Sequence, residues 1–174
     1  RSVAFAYWAN LYNAITLKVV LDRYPVNSIR DIRSEGVLFD PQAFIGPWRT
    51  RRVTIEGRRM SLDNIEHDTL RTEFGYRVHS VLVCAAKSCP PLWNHAYRAD
   101  KLDEQLDARM RAWLAREDLN RFLPGEKRME LSKIFSWYGK DFTDLPGIIA
   151  RYAPVQCPDC RIGYQSYNWE LNEP

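Results

Sequence analysis

Apolar positions at the start of the chain step by three and four: Phe5, Trp8, Leu11, Tyr12, Ile15 and Val19. That spacing lines one face of an α-helix and predicts a helix reaching about Asp22, closed by Pro25. Polarity is mixed from Val26 to Pro47, with Pro41 and Gly46 inside, which predicts a loop with short helical turns. Val53 to Met60 alternates on either side of Glu56-Gly57, the signature of a hairpin. Ser61 suits the N-cap of a helix running to about Thr72 and broken by Gly75.

Arg77 to Val83 is an apolar, β-branched run and predicts a central strand. Leu102, Leu106, Met110, Trp113 and Leu114 share one stripe of a helix from about Asp100 to Arg116. Arg128 to Leu131 predicts a short strand, and Ser132 caps a short helix carrying Ile134, Phe135, Trp137 and Tyr138. Leu145 to Tyr152 predicts a further helix, and Tyr164 to Trp169 alternates as a last strand. No internal repeat or linker divides the chain. The pattern predicts one α+β domain over residues 1–174, with a small, mostly antiparallel sheet packed with helices.

Composition changes this picture little. A chain of 174 residues buries a core without needing disulfides. Its net charge of +3 and pI near 8.7 are too mild for a nucleic-acid partner. The densest basic cluster, Arg49, Arg51, Arg52, Arg58 and Arg59, is expected on the solvated face of the hairpin. No apolar window of about 18 residues exists, so no transmembrane helix is expected. The first residues already read as helix and carry no initiating Met, so the chain is expected to be a fragment or a processed form. A periplasmic or secreted location is favoured over the cytoplasm.

Candidate chemistry concentrates in His79-Ser80-Val81-Leu82-Val83-Cys84-Ala85-Ala86-Lys87-Ser88-Cys89-Pro90-Pro91-Leu92. A thiol beside a lysine in a loop is a candidate nucleophile. Cys89 is the better one: Pro90 opens a turn whose free N–H groups face the sulfur, and Lys87 adds positive charge. Cys84 ends an apolar run and is expected to be buried. The plainer alternative makes both thiols small core hydrophobes. Glu66 falls inside the apolar stripe of Leu62, Ile65, Thr69 and Leu70, where a carboxylate needs a partner, and His67 follows it. Glu66, His67 and His79 are the candidate acid, base or orienting groups for Cys89. His95 is expected at the surface. Asn10 and Asn13 are polar positions in an aromatic helix; with Lys87 and Ser88 they are the substrate-binding candidates, local hydrogen bonding being the alternative for the asparagines.

Cys157 and Cys160 have CxxC spacing, which serves redox chemistry, a metal half-site or a small disulfide. A local disulfide or free thiols are favoured over zinc, and no metal or cofactor is expected. No P-loop, GxGxxG, GxSxG or HExxH motif occurs, so nucleotide, serine-hydrolase and zincin readings lack support.

Five ordered segments resemble the domain-of-unknown-function family 547. They are Tyr7 to Ala14 (YWANLYNA), Ser61 to His67 (SLDNIEH), His79 to Leu92, Leu131 to Tyr138 (LSKIFSWY) and Tyr167 to Asn172 (YNWELN). That family occurs in bacteria, often with an export signal, and in plants beside coiled-coil segments. Its remote likeness to papain-like and transglutaminase-like proteins implies a permuted cysteine-peptidase-type core. The Cys157/Cys160 pair is not part of the family pattern. One reading is a thiol-dependent hydrolase or acyl transferase acting on an amide or thioester of a small peptide-like substrate, for which the papain-like resemblance suggests glutathione-like γ-glutamyl peptides. A non-catalytic module holding a peptide or ligand in the same cleft is the alternative.

Overall fold

The computed structural model describes residues 1–33 and 46–173. The expected loop from Val26 to Pro47 lies in large part outside them; its described beginning holds a single 3-10 turn at Ile29–Asp31. The helix α1 spans Ser2–Leu21 and buries Phe5, Ala9, Tyr12, Ile15 and Val19 as its stripe predicts. The hairpin pairs β1 (Val53–Ile55) with β2 (Arg58–Met60). Its two-residue turn places Glu56 at φ 49° and Gly57 at φ 77°. Both values lie in the left-handed region that a tight hairpin turn requires.

Ser61 caps the next helix as expected: its Oγ accepts the Asn64 N–H at 3.2 Å and donates to Asn64 Oδ1 at 2.9 Å. The helix is not uniform. Asn64–Leu70 is wound as a π-helix and continues as α2, Arg71–Phe74. Gly75, at φ 77°, ends it. The long helix α3 is Leu102–Leu114, α4 is Lys133–Trp137 and α5 is Leu145–Tyr152. Ser132 accepts the Ile134 N–H and caps α4 as expected.

Three strands form the second sheet. β3 (Arg121–Leu123) pairs antiparallel with β4 (Arg128–Leu131), which pairs parallel with β5 (Arg161–Tyr164). The fold is therefore α+β, with a small antiparallel hairpin and a mixed sheet. β3 had no sequence prediction. The last strand lies earlier than expected, because beyond Tyr164 the chain leaves β4 to cross the thiol-bearing loop. There Lys87 N–H donates to Glu170 O at 2.8 Å, and Asn172 N–H donates to Ala85 O at 2.8 Å.

The predicted central strand from Arg77 to Val83 is not a strand. Tyr76–Ser80 forms a 3-10 helix, with Val78, His79 and Ser80 buried. Val81 and Leu82 N–H groups both donate back to Val78 O. The run is buried, as its composition requires, but its backbone finds partners within its own turns and on α1. Asn13 Nδ2 donates to Val81 O at 3.0 Å, and Val83 N–H donates to Asn13 Oδ1 at 3.0 Å. One side-chain amide stands where a neighbouring strand would have been.

α3 joins two apolar clusters. Leu102 and Leu106 pack with α1 and the π-helix, whereas Met110, Trp113 and Leu114 pack with β4, α4 and α5. Trp113 stacks on Phe135 at 4.6 Å between ring centroids. No helix among the described residues is long and apolar enough to cross a membrane.

Replacing Asn13 with alanine should leave two buried backbone groups unpaired. We expect a loss of about 2–4 kcal/mol, read from urea denaturation. An unchanged midpoint would show that these bonds do not hold the segment.

Candidate functional site

A cleft of about 390 Å³ opens where the π-helix, the 3-10 helix, the thiol loop, the end of α4 and the C-terminal segment meet. All four candidate catalytic residues, Glu66, His67, His79 and Cys89, border it. The segments that held the polar oddities of the sequence thus converge on one place. The π-helix supplies Glu66 and His67, and widened turns of this kind recur at functional sites.

The thiol loop folds tightly. Ala85 takes φ 59°, a left-handed conformation that is unusual for a side-chain-bearing residue. Beyond it, Cys89 turns back: its Sγ accepts the Cys84 N–H at 2.9 Å and reaches Leu82 O at 3.8 Å. Cys84 Sγ lies 3.0 Å from the Tyr167 hydroxyl. The order of exposure reverses the expectation. Cys89 is buried and Cys84 is partly open. The apolar run delivers Cys84 to the cleft, and the turn after it brings Cys89 back to the same cleft in a more buried position.

Their acidities diverge accordingly. The Cys89 thiol hydrogen-bonds to the Cys84 sulfur and holds the Cys84 pKa below its ordinary value against the cost of burial; the Tyr167 hydroxyl and the Ala86 N–H add to this. Burial pushes the Cys89 thiol well up, and the neighbouring Cys84 thiolate pushes it further. The Tyr167 hydroxyl is itself raised by burial and by both cysteines, so it stays protonated and donates. A correction follows for exposure: Cys84, expected to be buried, is the more accessible sulfur.

His79 also borders the cleft. Its Nε2 lies 2.7 Å from Asp141 Oδ2, and Arg71 holds the same carboxylate through Nε at 2.7 Å and Nη2 at 3.0 Å. The ring packs between Tyr138, 4.4 Å away, and Phe142, 5.1 Å away. Burial lowers the His79 pKa to about 4; Asp141 works against this, and the Arg71 and His67 charges work with it. The ring is neutral at neutral pH, donates Nε2–H to Asp141 and keeps Nδ1 as an acceptor. Burial tends to raise the Asp141 pKa, but bonds from Arg71 and His79 bring it below the ordinary carboxylate value.

Glu66 is half-buried and accepts the Tyr12 hydroxyl at 3.0 Å, so the carboxylate inside the apolar stripe has its partner. Burial and the Glu66 charge raise the Tyr138 pKa, which keeps that hydroxyl protonated beside the carboxylate. His67 lies against Arg71 through Nδ1 and against Asp63 through Nε2 at 3.4 Å. Among the described residues no hydrogen bond joins a histidine nitrogen to a cysteine sulfur.

The four expected substrate-binding residues are elsewhere. Asn10 clamps the Tyr97 backbone with two bonds of 2.9 Å, and Asn13 holds the segment before Cys84. Lys87 pairs with Glu170 at 2.7 Å, and Ser88 Oγ accepts the Asn168 N–H at 2.8 Å. These contacts pin the loop; none of the four side chains borders the cleft. The asparagines bond backbone groups 68 to 87 residues away, because a buried amide takes the unpaired backbone groups packed against it. His95 is exposed, as expected. Cys157 and Cys160 form a disulfide against the second apolar cluster, away from the cleft. Among the described residues no group of three or more His, Cys, Asp or Glu side chains could hold a metal ion.

Sequence reasoning missed Asp141, Arg71, Tyr138 and Tyr167. The two tyrosines fall within quoted motifs and were open to notice. Asp141 carries no local signal, because its partner is 62 residues away.

The fold and site define an α+β domain with a paired-thiol cleft faced by a histidine–aspartate pair. The chain belongs to the family described as Protein of unknown function, DUF547, whose model matches residues 1–114. That match contains the first three motifs; the segments bearing Tyr138, Asp141 and Tyr167 lie beyond it. No curated protein and no solved structure matches the chain.

The neutral His79 ring has a signature in stability. In the unfolded chain it takes up a proton near pH 6.5, whereas the folded protein resists protonation down to about 4. The folded state is therefore favoured fully above pH ~6.5 and loses about 3 kcal/mol as the pH falls towards 4. Asp141, with its pKa lowered, adds a further loss only in more acid solution, below its ordinary carboxylate value. Urea unfolding from pH 8 to 4 should show a steeper decline for the native protein than for His79→Gln. Parallel profiles would contradict the buried neutral ring.

Proposed function

We propose that the cleft carries out thiol-dependent hydrolysis or acyl transfer on an amide or thioester of a small peptide-like substrate. One observation carries the reading: a thiol of lowered pKa and a neutral histidine held by a carboxylate border the same cleft. Those are the parts of a nucleophile–base–orienter arrangement. The remote likeness of the family to papain-like proteins supports it.

In this reading Cys84 attacks the substrate carbonyl carbon. Its proton passes to Nδ1 of His79, the nitrogen not engaged by Asp141. Asp141 and Arg71 keep the ring in its tautomer and stabilise the imidazolium that forms. The tetrahedral intermediate collapses as His79 returns the proton to the departing amine or thiol. Water or an acceptor amine then releases the acyl group from sulfur. The sulfur and the imidazole are not yet hydrogen-bonded, and such contacts commonly tighten only around a bound substrate.

The walls suit a small substrate with one anionic end. Trp137, Tyr167 and Trp169 form an aromatic side, and the exposed Arg49 borders the mouth. A glutathione-like γ-glutamyl peptide has the carboxylates for the cation and the amides for the thiol. The Cys157–Cys160 disulfide supports a periplasmic or secreted setting, since such bonds persist under oxidising conditions. The missing histidine–sulfur bond favours the second reading, a module that binds the same ligand without turnover.

Iodoacetamide should alkylate Cys84 ahead of Cys89, with a midpoint below the ~8.5 of a free cysteine. On a chromogenic γ-glutamyl anilide, Cys84→Ser should abolish turnover, and His79→Ala should lower kcat/KM by roughly 10²–10⁴. Saturable binding of glutathione with a Cys84 that titrates like a free thiol would instead establish the binding module.

A further inference from the structure

The acyl-transfer reading uses one sulfur and leaves Cys89 with a supporting part. The geometry gives the two thiols unlike and complementary positions. Cys84 is partly open and lines the cleft, where a small molecule can reach it. Cys89 borders the same cleft but is nearly closed to solvent, at 4% exposure. Its Sγ sits 2.9 Å from the backbone nitrogen of Cys84, and the two thiols interact directly. Neither is disulfide-bonded, whereas Cys157 and Cys160 are. The backbone that brings the pair together is pinned on both sides: Cys89 N–H donates to Ala86 O, while Lys87 and Ser88 N–H groups donate to the crossing C-terminal segment. Tyr167 holds the outer sulfur from across the cleft.

We propose that Cys84 and Cys89 form a redox-active dithiol that exchanges electrons with small-molecule disulfides entering the cleft. Cys84 is the attacking sulfur and Cys89 the resolving one. In the first step the Cys84 thiolate attacks one sulfur of the disulfide RSSR. A Cys84–SR bond forms, the RS–SR bond breaks, and RS⁻ leaves to be protonated by solvent. In the second step Cys89 attacks the Cys84 sulfur while its proton passes, through solvent, to the departing RS⁻. The Cys84–Cys89 bond forms and the second RS⁻ leaves. Two electrons pass from the protein to the disulfide, giving two RSH and an oxidised protein. An excess of low-molecular-weight thiol reverses both steps.

Several features suit exchange rather than simple packing. An attacking thiol works best when its pKa lies near the ambient pH, and the lowered Cys84 pKa moves it that way. A buried resolving thiol avoids reaction with outside disulfides and meets only the mixed disulfide formed on Cys84. The inference shares the Cys84 thiolate with the proposed acyl transfer but needs neither His79 nor an acyl substrate, so the two stand or fall separately. Oxidation would also cap Cys84 and silence acyl transfer reversibly.

Oxidised glutathione is the probe. Lys87 lies between the two cysteines, so trypsin separates them and a Cys84–Cys89 bond appears as two joined peptides, Val78–Lys87 and Ser88–Arg98. The native protein with Cys157–Cys160 intact and Cys84 and Cys89 reduced, incubated with oxidised glutathione, should lose two hydrogens in intact mass and yield that pair. Reduced glutathione in excess should restore the original mass. Cys89→Ser should stop at the first step and retain one glutathionyl group on Cys84. Cys84→Ser should not react in the folded state. A stable glutathionyl group on Cys84 of the native protein, or two unreacted thiols, would overturn the proposal. These readings on the native protein decide it even if a variant folds poorly. A dithiol that cycles in a protein inert to the γ-glutamyl anilide would support the redox site while removing the acyl reading.

Discussion

The amide of Asn13 occupies the spot on which the site depends. A buried run of apolar residues, Val81 to Val83, must satisfy its backbone polar groups or pay several kcal/mol for each left unpaired. In a sheet a neighbouring strand would do this. Here the carbonyl of Val81 and the N–H of Val83 both bond to one side chain on α1. With the segment fixed to the first helix, His79 just before it and Cys84 just after it face a common space. The same constraint explains why Asn13 serves the scaffold rather than a substrate.

Around that scaffold the cleft is organised by opposed electrostatic demands. Arg71 is held by Asp141, stacks over Tyr138 at 4.5 Å and lies beside His67. Its bonds help keep Asp141 ionised, while burial, with a smaller contribution from the Arg71 charge, keeps His79 neutral; a neutral imidazole fixed by a carboxylate is a base with a defined tautomer. In the same cleft, two sulfurs a hydrogen bond apart cannot both ionise in a buried setting. The more open one takes the lower pKa and the buried one the higher. Protonated Tyr12, Tyr138 and Tyr167 line the space between, supplying hydroxyl donors to Glu66 and Cys84.

The C-terminal segment completes the arrangement from outside the matched family region. It crosses the thiol loop by main-chain bonds, contacts Asn27 and Ser28, and brings Tyr167 and Trp169 to the cleft wall. Lys87 and Ser88, which read in sequence as ligand-binding polar residues, are the loop's share of that seam. Their polarity is real, but it is spent on holding the chain together.

The sequence by itself determined the α+β class, the register of the first helix, the hairpin at Glu56-Gly57, the caps at Ser61 and Ser132, and the helix from Leu145 to Tyr152. Each rests on interactions within a few residues, which periodicity and capping chemistry report directly. It also singled out Glu66, His67, His79 and Cys89, because a polar group in an apolar stripe or at the end of an apolar run is conspicuous locally. Only the tertiary structure decided that Arg77 to Val83 coils instead of pairing, since a short buried run satisfies its backbone either way and the choice belongs to Asn13, 68 and 70 residues distant from the groups it holds. Likewise, the ranking of the two thiols and the union of His79 with Asp141 depend on burial and on partners far along the chain. Acidity follows the environment that the fold builds around a group, and no local pattern of residues encodes that environment.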